Sequence, residues 1–127
     1  MASNPTVLYI EDDPVNMALV RKLLKVEGFS MLEATNGVSG IELARRYKPS
    51  LILMDMNMPD VDGYEATTQI KNSPDTAQIP VVAVTANAMP GDRERSLSVG
   101  CDGHITKPIN INTFADEVRS FIRSGAA

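Results

Sequence analysis

The sequence has no tryptophan, one cysteine, one histidine and only three residues each of tyrosine and phenylalanine. A lone Cys101 forms no internal disulfide, and no zinc or redox spacing can be built around it. That points to a reducing compartment, with Cys101 as a small buried hydrophobe. Basic excess is missing too: 12 Lys and Arg stand against 16 Asp and Glu, a net charge of -4. This argues against direct nucleic-acid binding and suits metal cations or basic partner patches. No apolar run approaches the roughly 20 residues of a membrane span. Met1-Ala2-Ser3-Asn4-Pro5 has neither the charged nor the apolar region of a signal peptide. A cytoplasmic protein with no direct contact to membrane or nucleic acid is expected.

What is present is an ordinary globular composition, 43% hydrophobic and 22% charged over 127 residues, the size of one domain. A single domain over residues 1–127, with its core at about 6–124, is expected. Within it, Leu51-Ile52-Leu53-Met54 is an apolar run of strand length without alternation, the pattern of a strand buried on both faces, and it stops at Asp55. Thr6 to Ile10 is a similar run and stops at Glu11-Asp12-Asp13. Pro14 after it suits the first turn of a helix, so Asp13 is the expected N-cap. Leu19, Val20, Leu23, Leu24 and Val26 give that helix an apolar stripe, and Gly28 ends it.

The unit repeats. A weaker strand over Ser30 to Ala34 precedes a helix over 38–47, with Val38, Ile41, Leu43 and Ala44 as its apolar positions. After Asp55 the spacing predicts a helix over 64–71, a strand over Val81 to Thr85, a weakly apolar helix over 91–99 and a brief strand over Gly103 to Thr106. Ile111, Phe114, Ala115, Val118, Phe121 and Ile122 give the last helix its periodicity, with Asn110 as its expected cap. Alternating strands and helices predict an α/β, flavodoxin-like doubly wound fold. It has five parallel strands in the order 2-1-3-4-5, five helices and right-handed crossovers.

In such a sheet the strand ends that bind ligands would present Glu11, Asp12 and Asp13, then Asp55, Thr85 and Lys107. Carboxylates gathered in one cleft repel each other, which a hard divalent cation relieves. Mg²⁺, held by few carboxylates and keeping waters, fits the set. A nearby lysine and threonine hydroxyl suit an anion larger than a carboxylate. A phosphoryl group meets all of these demands, with Asp55 as nucleophile, the metal and Lys107 neutralising its oxygens and Thr85 donating a hydrogen bond. A calcium loop over Asp55, Asn57 and Asp60 is excluded, because Pro59 occupies a ligand position and the required Gly and distal Glu are absent. Met54, Met56 and Met58 read as packing residues.

From Val7 to about Ile122 the chain resembles the receiver domains of two-component response regulators, of the single-domain, chemotaxis-regulator-like kind. The resemblance is carried by Glu11-Asp12, Asp55, Met58-Pro59, Asp62-Gly63, Thr85-Ala86 and Lys107-Pro108, each in order after a strand. It implies that Asp55 is the phosphoacceptor, charged by a histidine kinase or histidine phosphotransfer protein. Asp12 and Asp55 would bind Mg²⁺ directly, with the Asn57 carbonyl as a further ligand and Glu11 acting through water. Thr85 and Lys107 would meet the phosphoryl oxygens, and the Lys107-Pro108 bond would be cis. The family's switch aromatic has His104 in its place here, a departure that makes this position less apolar and titratable near neutrality. Asp13 matches no ligand position.

The implied role is a signalling phosphoacceptor in a phosphorelay, not an enzyme, although it assists its own phosphorylation and dephosphorylation. Because the chain ends at Ala127, a stand-alone regulator or relay intermediate is expected, reading out to an effector that the sequence does not name. A receiver cut from a hybrid histidine kinase or a larger regulator would look the same. Two rivals are an aspartate-nucleophile phosphohydrolase, which usually has a second Asp where Asn57 stands, and a degenerate receiver serving only as a binding module.

Overall fold

A computed structural model describes residues 5–56, 63–86 and 90–125. Its strands are β1 (Thr6–Ile10), β2 (Ser30–Ala34), β3 (Leu51–Asp55), β4 (Val81–Thr85) and β5 (Gly103–Thr106). The helices are α1 (Pro14–Val26), α2 (Gly37–Tyr47), α3 (Gly63–Asn72), α4 (Pro90–Ser98) and α5 (Phe114–Gly125). Among the described residues the strands form one parallel sheet in the order β2-β1-β3-β4-β5, as the alternating pattern predicts. No described helix is long and apolar enough to cross a membrane.

The sheet separates two cores. Leu51 and Leu53 point into one, with Val7, Tyr9, Phe114 and Val118, while Ile52 and Met54 point into the other, with Ile10, Ile41 and Ile70. Every residue of β3 is therefore buried although its side chains alternate, which is why its sequence shows no polar period. Local chemistry sets the helix starts. The Asp13 Oδ1 accepts from the Val15 amide at 3.0 Å, with Pro14 at the first position of α1. Asn36 does the same for Ser39 at 2.8 Å. At the edge of the sheet opposite the acidic strand ends, the Lys71 ammonium donates to the Ile79 carbonyl at 2.7 Å and to Asp102 at 2.9 Å. That carboxylate also accepts from the Val81 amide at 2.9 Å, so α3, β4 and the entry to β5 are tied together.

Three apolar expectations fail for geometric reasons. Helix α5 starts at Phe114, not beside Asn110. The Asn110 side chain instead accepts from the Asn112 amide at 3.0 Å, closing a separate turn that leaves Ile111 61% exposed. On α1 the buried stripe is Met17, Val20 and Leu24, and Val26 lies off it. On α2 it is Gly37, Gly40, Ile41 and Ala44, so Val38 faces solvent. Residues 57–62, including the expected metal ligand Asn57 and the expected packing residue Met58, lie outside the described residues.

Gly40 allows α2 to approach β1 directly below the acidic strand end. A Cβ there would lie 2.4 Å from Ile10 Cδ1, inside a fully buried side chain. Overpacking costs roughly 1–3 kcal/mol, and the better helix propensity of alanine returns up to about 1 kcal/mol. We expect Gly40→Ala to lower stability by about 1–2 kcal/mol in urea unfolding. An unchanged midpoint would mean that Ile10 has room to turn aside.

Candidate functional site

The parallel register brings three strand ends to one place. Glu11 follows β1 and is held by its amide, which donates to the Ala34 carbonyl at 2.9 Å. Asp55 closes β3, next to Val84 in the register, and Lys107 follows β5. Ligand oxygens of Glu11, Asp12 and Asp55 all lie within 4.8 Å of one another. Glu11 and Asp55 are only 1% and 2% exposed, whereas Asp12 is open to solvent. The Lys107 ammonium bridges the buried pair, 3.0 Å from Glu11 Oε1 and 3.2 Å from Asp55 Oδ1.

Glu11 collects further donors. The Tyr9 hydroxyl donates to its Oε1 at 2.6 Å and the Asp13 amide to its Oε2 at 3.3 Å. Burial alone would raise the Glu11 carboxyl. Hydrogen bonds with Asp55, Tyr9 and Lys107, together with the lysine charge, outweigh burial and hold Glu11 below the usual carboxylate range. Burial works against the Lys107 ammonium as well, and its bond to Glu11 and the Asp55 charge overcome it, so the group stays cationic. Burial first, then the bond to Glu11, keeps the Tyr9 phenol neutral far above its ordinary range.

The remaining residues take their places around this cluster. Thr85 is buried at the end of β4, and its carbonyl accepts from the Lys107 amide at 2.8 Å, which couples the two strand ends. The Lys107-Pro108 peptide is cis, as the resemblance implies. Asp13 serves as the helix cap and not in the cluster's carboxylate set. His104 stands apart from the cluster: it lies on the edge strand β5, opposite Ala83, and is half-buried. It lines a recess of about 300 Å³ with Ser96, Leu97, Asp102, Gly103 and Phe121. Gly63 has a role that its motif alone does not disclose, because a Cβ there would lie 3.0 Å from the Asp55 carbonyl and 2.6 Å from Met56 Sδ. Glycine lets α3 start close against the end of β3 without displacing either group.

Tyr9 is the residue that sequence reasoning passed over. In the sequence it is one letter of an apolar strand, and the available signal was its spacing: a tyrosine two positions before a glutamate on one strand shares its face.

Three carboxylates against one ammonium leave the cleft with excess negative charge, two of the acids buried and one at its mouth. An all-oxygen donor set with one exposed member suits a hard divalent ion that keeps some of its water. The carboxylate of Asp55, held next to an ammonium at the ligand-binding edge, is placed to attack an electrophile entering from solvent.

A family model, "Response regulator receiver domain", matches residues 7–119. The polar-differentiation response regulator DivK of Brucella anthropi is 40% identical over 117 residues, covering 92% of this chain and 95% of that protein. A solved receiver domain of a sensor histidine kinase from Pseudomonas aeruginosa superposes with a TM-score of 0.86 at 31% identity, covering 94% of this chain and 98% of the other. That structure has a magnesium ion coordinated in its active-site cleft. A CheY-like receiver from Methanospirillum hungatei shares the fold at a TM-score of 0.88 and 22% identity, covering 98% of each chain.

Proposed function

Because this chain belongs to the response regulator receiver domain family, we propose that Asp55 is the acceptor of its phosphoryl group and that Glu11, Asp12 and Asp55 hold Mg²⁺. The observation that carries this is the bridge of Lys107 between two buried carboxylates at the open end of the sheet. In the reaction a carboxylate oxygen of Asp55 bonds to phosphorus as the bond from phosphorus to a histidine nitrogen of the donor breaks, and the electron pair returns to that imidazole. Lys107 turns from the carboxylates to the phosphoryl oxygens, and the Thr85 hydroxyl donates to one of them. Glu11, Asp12 and Asp55 would hold Mg²⁺, which would supply charge neutralisation for the phosphoryl oxygens. The Asn57 carbonyl is proposed as its further ligand.

An aspartate-nucleophile phosphohydrolase is set aside by the family, whose members signal by accepting a phosphoryl group. We read residues 1–127 as a single cytoplasmic receiver domain that takes its phosphoryl group from a histidine kinase or histidine phosphotransfer protein and changes its affinity for an effector. The likeness to DivK favours a stand-alone regulator, and the likeness to a kinase's receiver keeps the second origin open. The donor is proposed to meet Val15 and Asn16 at the start of α1 and the loop around Pro108 and Ile109. Met17, on the same turn of α1, is buried. His104 is proposed as the switch residue, lining its recess between α4 and α5.

Incubation with acetyl phosphate and Mg²⁺ is expected to add one phosphoryl group, seen by intact mass. Stripping divalent ions with a chelator should slow the reaction at least about a hundredfold, because the metal supplies several kcal/mol of charge stabilisation. Labelling that proceeds equally well in chelator would sink the metal assignment, and no labelling at all would sink the acceptor.

A further inference from the structure

Tyr9 has 0% exposure, and its ring lies in the core under α1 and α5 with Leu53, Val84 and Phe114. Phenylalanine would fill that space equally well. A hydroxyl is unfavourable at such a place unless it is bonded, and here it donates to Glu11 Oε1 at 2.6 Å. The strand explains the reach, since residues two apart on β1 share a face and the phenol rises from the core floor to the carboxylate at the strand end.

The same Oε1 also receives the Lys107 ammonium at 3.0 Å. These two donors differ in kind. Lys107 ends a flexible side chain that is shared with Asp55, and by the function proposed above it leaves for the phosphoryl oxygens. The phenol is a rigid ring enclosed by the core and cannot follow. Without it, the departure of Lys107 would leave Glu11 tied only to the Asp13 amide on its other oxygen and to Asp55, the acid that is itself being phosphorylated. We propose that Tyr9 is a positioning residue for phosphoryl transfer. It acts as a fixed donor that orients Glu11 toward Mg²⁺ and keeps it oriented once Lys107 has turned away.

This inference rests on the metal site proposed above, and the experiment separates the two. Mg²⁺ binding by the full chain is measured by calorimetry for the wild type, Tyr9→Phe, Glu11→Ala and the double variant. The dependence of acetyl phosphate labelling on Mg²⁺ concentration is followed alongside. Tyr9→Phe should weaken Mg²⁺ binding about tenfold, the scale of a lost hydrogen bond to a charged group, and raise the half-saturating Mg²⁺ concentration similarly. The labelling rate at saturating Mg²⁺ should fall less. In the Glu11→Ala background the same change should have no further effect on Mg²⁺ affinity, which a merely structural role for Tyr9 would not produce. Unchanged Mg²⁺ affinity in Tyr9→Phe, or an equal loss in both backgrounds, overturns the proposal and leaves the metal site standing. If Asp12→Asn and Asp55→Asn bind Mg²⁺ as tightly as the wild type, the metal site itself fails and the role of Tyr9 falls with it.

Discussion

Asp55→Asn should take no phosphoryl group from acetyl phosphate under conditions in which the wild type is labelled to completion. The two side chains are nearly the same shape, so the packing at the end of β3 survives. The amide, however, has no anionic oxygen with which to attack phosphorus. Selectivity for this one acid follows from the geometry. Glu11 is as buried as Asp55 but is tied by Tyr9, Lys107 and the Asp13 amide, and its depressed pKa marks a poor nucleophile. Asp12 is exposed, so neither burial nor the lysine bridge activates it. Asp55 shares the burial and the mobile ammonium of Glu11, but the Tyr9 hydroxyl and the Asp13 amide are bonded to Glu11. The variant should keep its far-ultraviolet circular dichroism and bind Mg²⁺ more weakly, since one charged ligand is gone. A phosphoryl gain surviving in Asp55→Asn would transfer the acceptor role to another residue and overturn the assignment.

Most of this arrangement was legible because parallel sheets convert sequence order into spatial convergence. Glu11, Asp55 and Lys107 are far apart in sequence, yet each stands at the carboxyl end of a strand, and strands pointing one way put all three at one edge. What stayed hidden was whatever depends on the direction of a side chain. The apolar letters of α1 and α2 do not tell that Val26 and Val38 fall off the buried stripes, because an 11- to 13-residue helix carries more apolar positions than its buried face uses. Asn110 is a good cap by type, but its side chain closes a local turn first and the helix waits until Phe114. Tyr9 and Gly40 were invisible for a related reason: the strand pattern records that a position is buried, not what its one polar atom or missing methyl group meets.

The second large effect belongs to Lys107→Met, which should slow phosphorylation about a hundredfold, the usual scale for removing one preorganised charge from a transition state. It should also destabilise the protein in chelator. Breaking a fully buried ion pair costs roughly 3–5 kcal/mol. Lys107 keeps some contact with water, so about 2 kcal/mol is the fitting figure here. The dependence on pH separates this loss from a simple packing defect. In the wild type the Glu11 pKa is depressed, so its contribution to stability is present above the ordinary carboxylate pKa and disappears as the pH falls through the native value. Without Lys107 part of that depression goes, because the lysine bond and charge are two of its causes, after the bonds with Asp55 and Tyr9. The stability gap should therefore be full at neutral pH and close as the solution is acidified below about pH 4, where Glu11 is protonated in the unfolded chain. Mg²⁺ should close it at neutral pH by the same physics, since a divalent ion among Glu11, Asp12 and Asp55 relieves the repulsion that the ammonium relieved. Urea unfolding of both proteins across pH, with and without Mg²⁺, reads all of this. A gap that is constant in pH and indifferent to Mg²⁺ would show that Lys107 acts through its methylene chain and not through its charge.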